Sequence, residues 1–469
     1  MARTHADLRI VLDRTPGTPL HVQLAGALRA MMRAGALPAG ERLPSSRVFA
    51  ADLGVSRTVV TEAYQQLYAE GWLEGRHGSG TYVAEIGPHP ATDGLATGAG
   101  LGAGGKKEGP IGRGEARRRG LVDLRPGGSW VGDYDVAAWK RAWRAAGEHG
   151  PGDDPDPRGL PVLRALLCEH LRRARGVVAG PENVVVTRGT GNGLDLVAAL
   201  LATGRRAGVE DPGYARARGI FAARGAETVP CPVDDDGIVV DGLPDDLAVL
   251  YTTPAHQYPL GGRLPIARRE RLLEWARRTG AFIVEDDYDA EFRYDVAPLP
   301  ALYGLDPARV ILLGTLSKTL SPDPGIGWIV AAPETADRIA ALRGALVDRT
   351  SVPVQHAMAT LLERGDLDRH LRRMRLEYAR RRALVVEILG DRVTGDTAGL
   401  HVMVPVARER LGPLAEAALA RGVLVDDTRR HTLGEHDNHG LVLGYATATV
   451  QDLRRGCAVL AALLADGHG

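Results

Sequence analysis

Residues 314–328 read GTLSKTLSPDPGIGW. Lys318 sits there in a short, hydroxyl-rich turn that ends in proline and glycine, directly after the apolar run RVILLG (309–314). An apolar run bounded by turn residues predicts a buried strand, so the lysine is expected just past a strand's carboxyl end. The runs VVVT (184–187), AGVE (207–210), LAVLYTT (247–253), AFIVED (281–286) and GWIVAA (327–332) have the same character. All are read as buried parallel strands, and the intervening LLEWARRTG and RIAALRGAL as crossover helices. Residues 121–467 are therefore expected to form a mainly parallel α/β domain, with its ligand at the carboxyl ends of the strands.

Those strand ends carry the chemistry. A lysine that condenses with a carbonyl cofactor needs a desolvated pocket that lowers its pKa. A pyridine ring used as an electron sink needs an acid to keep its nitrogen protonated. Asp286 ends AFIVED and suits that task, and Tyr288 can donate to a phenolate oxygen beside the imine. VVVT runs into RGTGNGLDLVAALL, a glycine-rich turn that opens a helix and offers an anion site. AGVE runs into DPGYARARG, which places Tyr214 against a ring and Arg216 near a carboxylate. Together these residues point to pyridoxal 5'-phosphate.

The start of the chain has a different design. PLHVQLAGALRAMMRAG has helical apolar spacing, LPSSRVFAADLG predicts a short helix capped by Ser45 or Ser46, and VSRTVVTEAYQQLYAEG a second helix capped by Ser56. Two helices around a tight glycine turn make a helix-turn-helix pattern, with Ser56, Arg57, Thr58 and Thr61 placed to read a DNA groove. GWLEGRHGSGTYVAE then predicts a two-stranded wing with Arg76 and His77 at its tip. Residues 86–120 are rich in glycine and alanine with basic clusters, and are read as a flexible linker. With 58 basic and 58 acidic residues the chain has no global pull on polyanions, so DNA binding has to come from a local surface. Three dispersed cysteines support neither a disulfide framework nor a metal site, and no metal is expected. No apolar run of membrane-spanning length occurs, and a cytoplasmic protein without membrane contact is expected.

Residues 15–85, through GERLPSSR and GVSRTVV, resemble the GntR family of winged helix-turn-helix regulators. By that resemblance Arg42, Ser45, Arg47, Ser56, Arg57, Thr58 and Thr61 face DNA, with Arg76, His77 and Gly78 near the minor groove. The stretches VVVTRGTGNGLDL, VEDPGY, TPAHQYPLGG, VEDDYDAEFRY and GTLSKTL resemble the fold-type I aminotransferase domain, which has a smaller α+β C-terminal subdomain. Joined, the two make the architecture of MocR-type regulators. The resemblance implies that Lys318 bears the aldimine, Asp286 meets the ring nitrogen and Tyr288 the ring oxygen, and Tyr214 stacks. Gly189 and Thr190 would hold the phosphate by backbone N–H groups and Thr315 by its hydroxyl, in a homodimer.

Three positions depart from the family pattern. Gly325 stands where an arginine usually pairs with the phosphate, Asp154 where a tyrosine usually reaches it, and Leu441 near the arginine that grips a substrate carboxylate. Arg188 is expected to supply the missing phosphate charge, and Arg429 or Arg430 to replace the carboxylate grip. The expected function is a DNA-binding transcriptional regulator that senses the cofactor or a small amino compound condensing with it. The alternatives are a working aminotransferase with a DNA-binding extension, and a regulator whose pocket has lost the cofactor.

Overall fold

A computed structural model describes residues 10–14, 19–76, 80–84, 111–294 and 300–465. The chain divides into two compact units, Met1–Lys107 and Glu108–Gly469.

In the first unit α1 (Leu20–Arg33), α2 (Ser46–Leu53) and α3 (Arg57–Ala69) bury Leu24, Leu28, Phe49, Val60, Ala63 and Leu67 in one small core. Ser45 caps α2 by accepting from the Val48 amide at 3.3 Å, and Gly54 ends it in the left-handed conformation at φ 62°. The buried Tyr64 hydroxyl donates to the Pro44 carbonyl at 2.9 Å, which ties α3 to the residue before α2's cap. The wing is real: β1 (Leu73–Arg76) and β2 (Gly80–Val83) pair antiparallel from Leu73↔Val83 to Arg76↔Gly80.

The second unit opens with α4 (Arg113–Arg118) and β3 (Val122–Asp123). This corrects the expectation of a flexible linker over all of 86–120, because its last residues fold. Ala116 is fully buried and Arg113 is anchored by hydrogen bonds, which a composition count does not reveal. There follow α5 (Val136–Gly147), α6 (Pro161–Arg175), β4 (Val184–Thr187), α7 (Thr190–Leu201), β5 (Arg206–Asp211), α8 (Ala215–Ala223), β6 (Glu227–Asp234) and β7 (Gly237–Ile238). Next come β8 (Leu247–Thr252), α9 (Ile266–Thr279), β9 (Phe282–Asp286), α10 (Leu302–Leu305), β10 (Val310–Thr315), α11 (Leu316–Thr319) and β11 (Gly327–Val330).

The main sheet runs β4-β11-β10-β9-β8-β5-β6-β7. Strands β10, β9, β8, β5 and β6 are mutually parallel, but β11 is antiparallel to both β10 and β4. The expectation that GWIVAA is a parallel strand is therefore wrong. Parallel neighbours need a crossover of a dozen or more residues, usually a helix, whereas the chain returns from Thr315 to Gly327 through the short lysine turn. Helices cover both faces of the sheet, as the unbroken apolar strands require.

The C-terminal part adds α12 (Pro333–Leu346), α13 (Val352–Glu363), α14 (Asp366–Leu389), β12 (His401–Pro405), α15 (Arg408–Ala420), β13 (Val423–Leu424), β14 (Asp426–Asp427), β15 (Gly440–Gly444) and α16 (Val450–Ala465). Strands β12, β15 and β14 form a small antiparallel sheet, the expected α+β subdomain, while β13 pairs with β3. No described helix is long and apolar enough to cross a membrane.

Candidate functional site

Three strand ends line up at one rim of the main sheet. Thr187 of β4 lies beside Gly327 of β11, and Gly327 beside Thr315 of β10. Gly189 follows at φ 96° and opens α7, whose first turn has no side-chain cap, so its N–H groups stay open to an anion. The approach is close: a Cβ on Gly327 would stand 2.7 Å from the Gly189 Cα, and one on Gly189 3.9 Å from the Thr315 hydroxyl oxygen. Thr315 Oγ1 also receives the Ser317 amide at 3.1 Å, which bends the chain into the lysine turn. Thr190 Oγ1 is buried without a partner. Gly189, Thr190 and Thr315 thus lie at one rim as expected, with the Thr315 hydroxyl directed at Ser317 Oγ at 3.0 Å and the Ile326 carbonyl at 3.3 Å.

Next along the rim, Asp286 is buried at the end of β9. Its Oδ2 accepts from the Tyr251 hydroxyl at 2.6 Å, and its Oδ1 is buried with no partner. Burial pushes the Asp286 carboxyl up to about 7, against the Tyr251 hydrogen bond and the Lys318 charge, with Asp287 adding to the rise. An unpartnered carboxylate oxygen in such a place fits a protonated ring nitrogen. Tyr214 lies nearly parallel to Tyr251, centroids 6.4 Å apart, and edge-on to Tyr258 at 6.0 Å. The Tyr288 hydroxyl stands 3.1 Å from both His256 Nδ1 and the His256 carbonyl, and His256 Nδ1 is 3.0 Å from Asp289 Oδ2. His401 joins this buried group, with its ring 4.6 Å from that of His256.

Lys318 is half-buried, and its Nζ donates to the Gly127 carbonyl at 2.5 Å. Burial holds its pKa below the usual lysine value; the Arg113 and Arg216 charges add to this, while Asp289 and Asp286 oppose it. This is the direction a nucleophilic amine requires. Arg216 is exposed at the start of α8, within electrostatic reach of the lysine.

Arg188 does not stand free for a phosphate. Its guanidinium pairs with Asp348 at 2.9 Å, a carboxylate that also holds Asn192 at 3.1 Å and the Arg343 Nε at 3.3 Å. Nor do Arg429 and Arg430 offer a free carboxylate grip, because they pair with Asp427 and Asp426. Leu441 is fully buried in β15. Gly325 has φ 57° in a turn closed by its amide on the Pro322 carbonyl at 3.0 Å, a conformation that an arginine would adopt only with strain. Asp154 is exposed.

Residues 131–460 match the family described as aminotransferase class I and II, and residues 20–83 the gntR family of bacterial regulatory proteins. The HTH-type pyridoxine biosynthesis transcriptional regulator PdxR of Corynebacterium glutamicum is 36% identical over 457 residues, covering 96% of this chain and 97% of that protein. The chain belongs to the MocR-type transcriptional regulators. The probable rhizopine catabolism regulatory protein MocR of Rhizobium meliloti is also 36% identical, covering 95% of this chain and 94% of its own. Among solved structures an archaeal alanine:glyoxylate aminotransferase superposes with a TM-score of 0.69 at 26% identity, covering 76% of this chain and 93% of that one.

In this MocR-type regulator most of the side chains expected to face DNA lie at the surface, with one exception. Arg42, Ser45, Arg47, Ser56, Arg57 and Thr58 are exposed. Thr61 is half-buried, and its hydroxyl returns to the Arg57 carbonyl at 2.9 Å, so it serves the helix before it serves a base. Arg57 Nε reaches the Ser46 hydroxyl at 3.3 Å across the helix-turn-helix. Arg76 lies on β1, while His77 and Gly78 fall outside the described residues.

Sequence reasoning missed Tyr251, His256, Asp289 and Arg113. The first three stand in LAVLYTT, TPAHQYPLGG and VEDDYDAEFRY, stretches already singled out. Arg113 was hidden by its place in the supposed linker.

Proposed function

We propose that this regulator takes pyridoxal 5'-phosphate at the rim between α7 and the lysine turn, and that occupancy of this site, by the cofactor or by an amino compound condensing with it, sets how the winged unit binds double-stranded DNA. The observation that carries the reading is the unpartnered, buried Asp286 Oδ1, at the same rim as a desolvated lysine and an uncapped helix start. Bound there, the cofactor would supply a carbonyl for the lysine amine and a protonated ring as an electron sink.

The chain's own groups have distinct tasks. Lys318 presents an amine whose lowered pKa leaves it neutral more often than an exposed lysine. Asp286 holds a proton on the ring nitrogen, and Tyr251 keeps that carboxylate oriented through Oδ2. Tyr214 covers the ring, and Tyr288 donates its proton toward the ring oxygen. Gly189, Thr190 and Thr315 take the phosphate, and Arg216 faces an effector carboxylate. Sensing is favoured over turnover because the carboxylate grip of an aminotransferase is replaced by the buried Leu441, with Arg429 and Arg430 held by acids. A homodimer with two heads would read two half-sites.

An absorption titration of the purified protein with pyridoxal 5'-phosphate tests the reading. A visible band that saturates in the parent and is absent from Lys318→Ala is expected. No band in either would leave the second unit as a dimerisation or non-covalent ligand module.

A further inference from the structure

Lys318 is tied, through five residues, to the place where the linker becomes folded. Its Nζ donates to the Gly127 carbonyl at 2.5 Å, and the Ser129 hydroxyl donates to the Ser317 carbonyl at 3.2 Å. Residues 127–129 therefore cross the lysine turn. Gly127 has φ 96°, and a Cβ there would stand 3.8 Å from Nζ, so the backbone lies close against the amine.

On its other side the same segment is held by one arginine. Arg113 Nη2 donates to the Pro126 carbonyl at 2.6 Å and to the Arg125 carbonyl at 2.9 Å, the two carbonyls just before Gly127. Its Nη1 pairs with Asp123 at 3.3 Å. Arg125 grips Asp123 at 2.6 and 2.8 Å and donates to the Ile111 carbonyl at 2.7 Å. Arg113 opens α4, and Ile111 is the first described residue after the glycine-rich segment. A Cβ on Gly128 would stand 3.6 Å from the Arg113 guanidinium carbon and run into the Thr447 side chain, so there is no slack between them.

We propose that residues 125–129 form a strap that reports the state of the Lys318 amine to the folded end of the linker, with Arg113 as the positioning residue that holds the strap. The signal rests on the reading that Lys318 condenses with a carbonyl. In that condensation a carbon–nitrogen double bond replaces the carbonyl C=O. The two hydrogens of the neutral amine leave with the carbonyl oxygen as one water, so the nitrogen keeps none of them and carries at most one proton taken up afterwards. The Gly127 carbonyl then loses the donor that fixes it, and the carbonyls gripped by Arg113 are the adjoining ones. Coupling of this kind is reciprocal: whatever loosens the strap changes how readily the amine is released to react.

Hydrogen exchange followed by mass spectrometry on the full chain tests this at the amides of Ala116, Leu121 and Val122, which bond to Gly112, Ala116 and Gly422 at 2.8, 3.0 and 2.9 Å. Without any cofactor, Lys318→Met should exchange several-fold faster there than the parent, and Ser129→Ala should do so more mildly. Equal exchange in all three would overturn the strap whatever the cofactor does. Adding pyridoxal 5'-phosphate to the parent should speed the same amides as the visible band grows, with no further effect in Lys318→Met. Arg113→Gln should start fast and stay insensitive while still forming the band. A band in the parent with unchanged exchange would overturn the proposal. Absence of a band would refute the cofactor reading alone, because the cofactor-free comparison still decides the strap.

Discussion

At the scale of single residues, the site holds groups in states that a ligand would relieve. Asp286 carries a carboxyl whose pKa is about 7 in the fold against 3.8 in an open chain, so the folded protein holds the proton more tightly. Stability is undiminished below about pH 4, falls as pH rises toward 7, and stays reduced above it. Asp286→Asn should therefore make the cofactor-free protein more stable at pH 8, by on the order of 2 kcal/mol, with the gain vanishing near pH 4. Urea midpoints at the two pH values check this, and the same variant should lose cofactor binding. Arg188 poses a second question, because Asp348 holds the charge that a phosphate would use. Asp348→Asn should raise the preference for pyridoxal 5'-phosphate over pyridoxal by about tenfold by freeing Arg188, and Arg188→Ala should abolish that gain while leaving the parent's preference unchanged, since a charged hydrogen bond is at stake only once the arginine is free. Ratios of dissociation constants show the effect free of any general change in stability. Asp286, Tyr214 and Lys318 were legible in the sequence because strand ends announce themselves. The Asp348 pairing was not, because it joins residues far apart in the chain.

At the scale of elements, the lysine turn owes its shape to a short antiparallel return. Continuous apolar runs revealed where the strands are, but a buried strand has the same composition in either direction. The length of the connection, eleven residues between Thr315 and Gly327, carries the direction and was readable. Gly327 is the tight point: a Cβ there would stand 2.6 Å from the Gly314 carbonyl oxygen as well as 2.7 Å from the Gly189 Cα. Gly327→Ala should cost about 1–3 kcal/mol of stability by overpacking and displace the anion cradle, which thermal unfolding with and without inorganic phosphate would reveal. The helix-turn-helix was legible nearly residue by residue, since caps, glycine stop and apolar spacing are all local signals. Two details differ: the Thr61 hydroxyl is bonded back to its own helix, and Ser56 precedes α3 without a side-chain cap bond.

At the scale of the whole molecule, the glycine-rich stretch marked two separately folded units, and composition placed its end too late. Residues 113–118 look like a basic tether in sequence but are anchored in the structure, because Ala116 is buried and Arg113 bonds to Thr447, hundreds of residues onward, and to Asp123 in the next strand. On the proposed function, this DNA-binding chain captures a carbonyl cofactor at one lysine. The chain makes this easy to test, since it has only four lysines, at positions 106, 107, 140 and 318. The protein would be incubated with pyridoxal 5'-phosphate, reduced with borohydride, digested and mapped by mass spectrometry. One phosphopyridoxyl group per chain on Lys318 is predicted. An adduct spread over Lys106, Lys107 and Lys140, or no adduct at all, would rule out capture at Lys318.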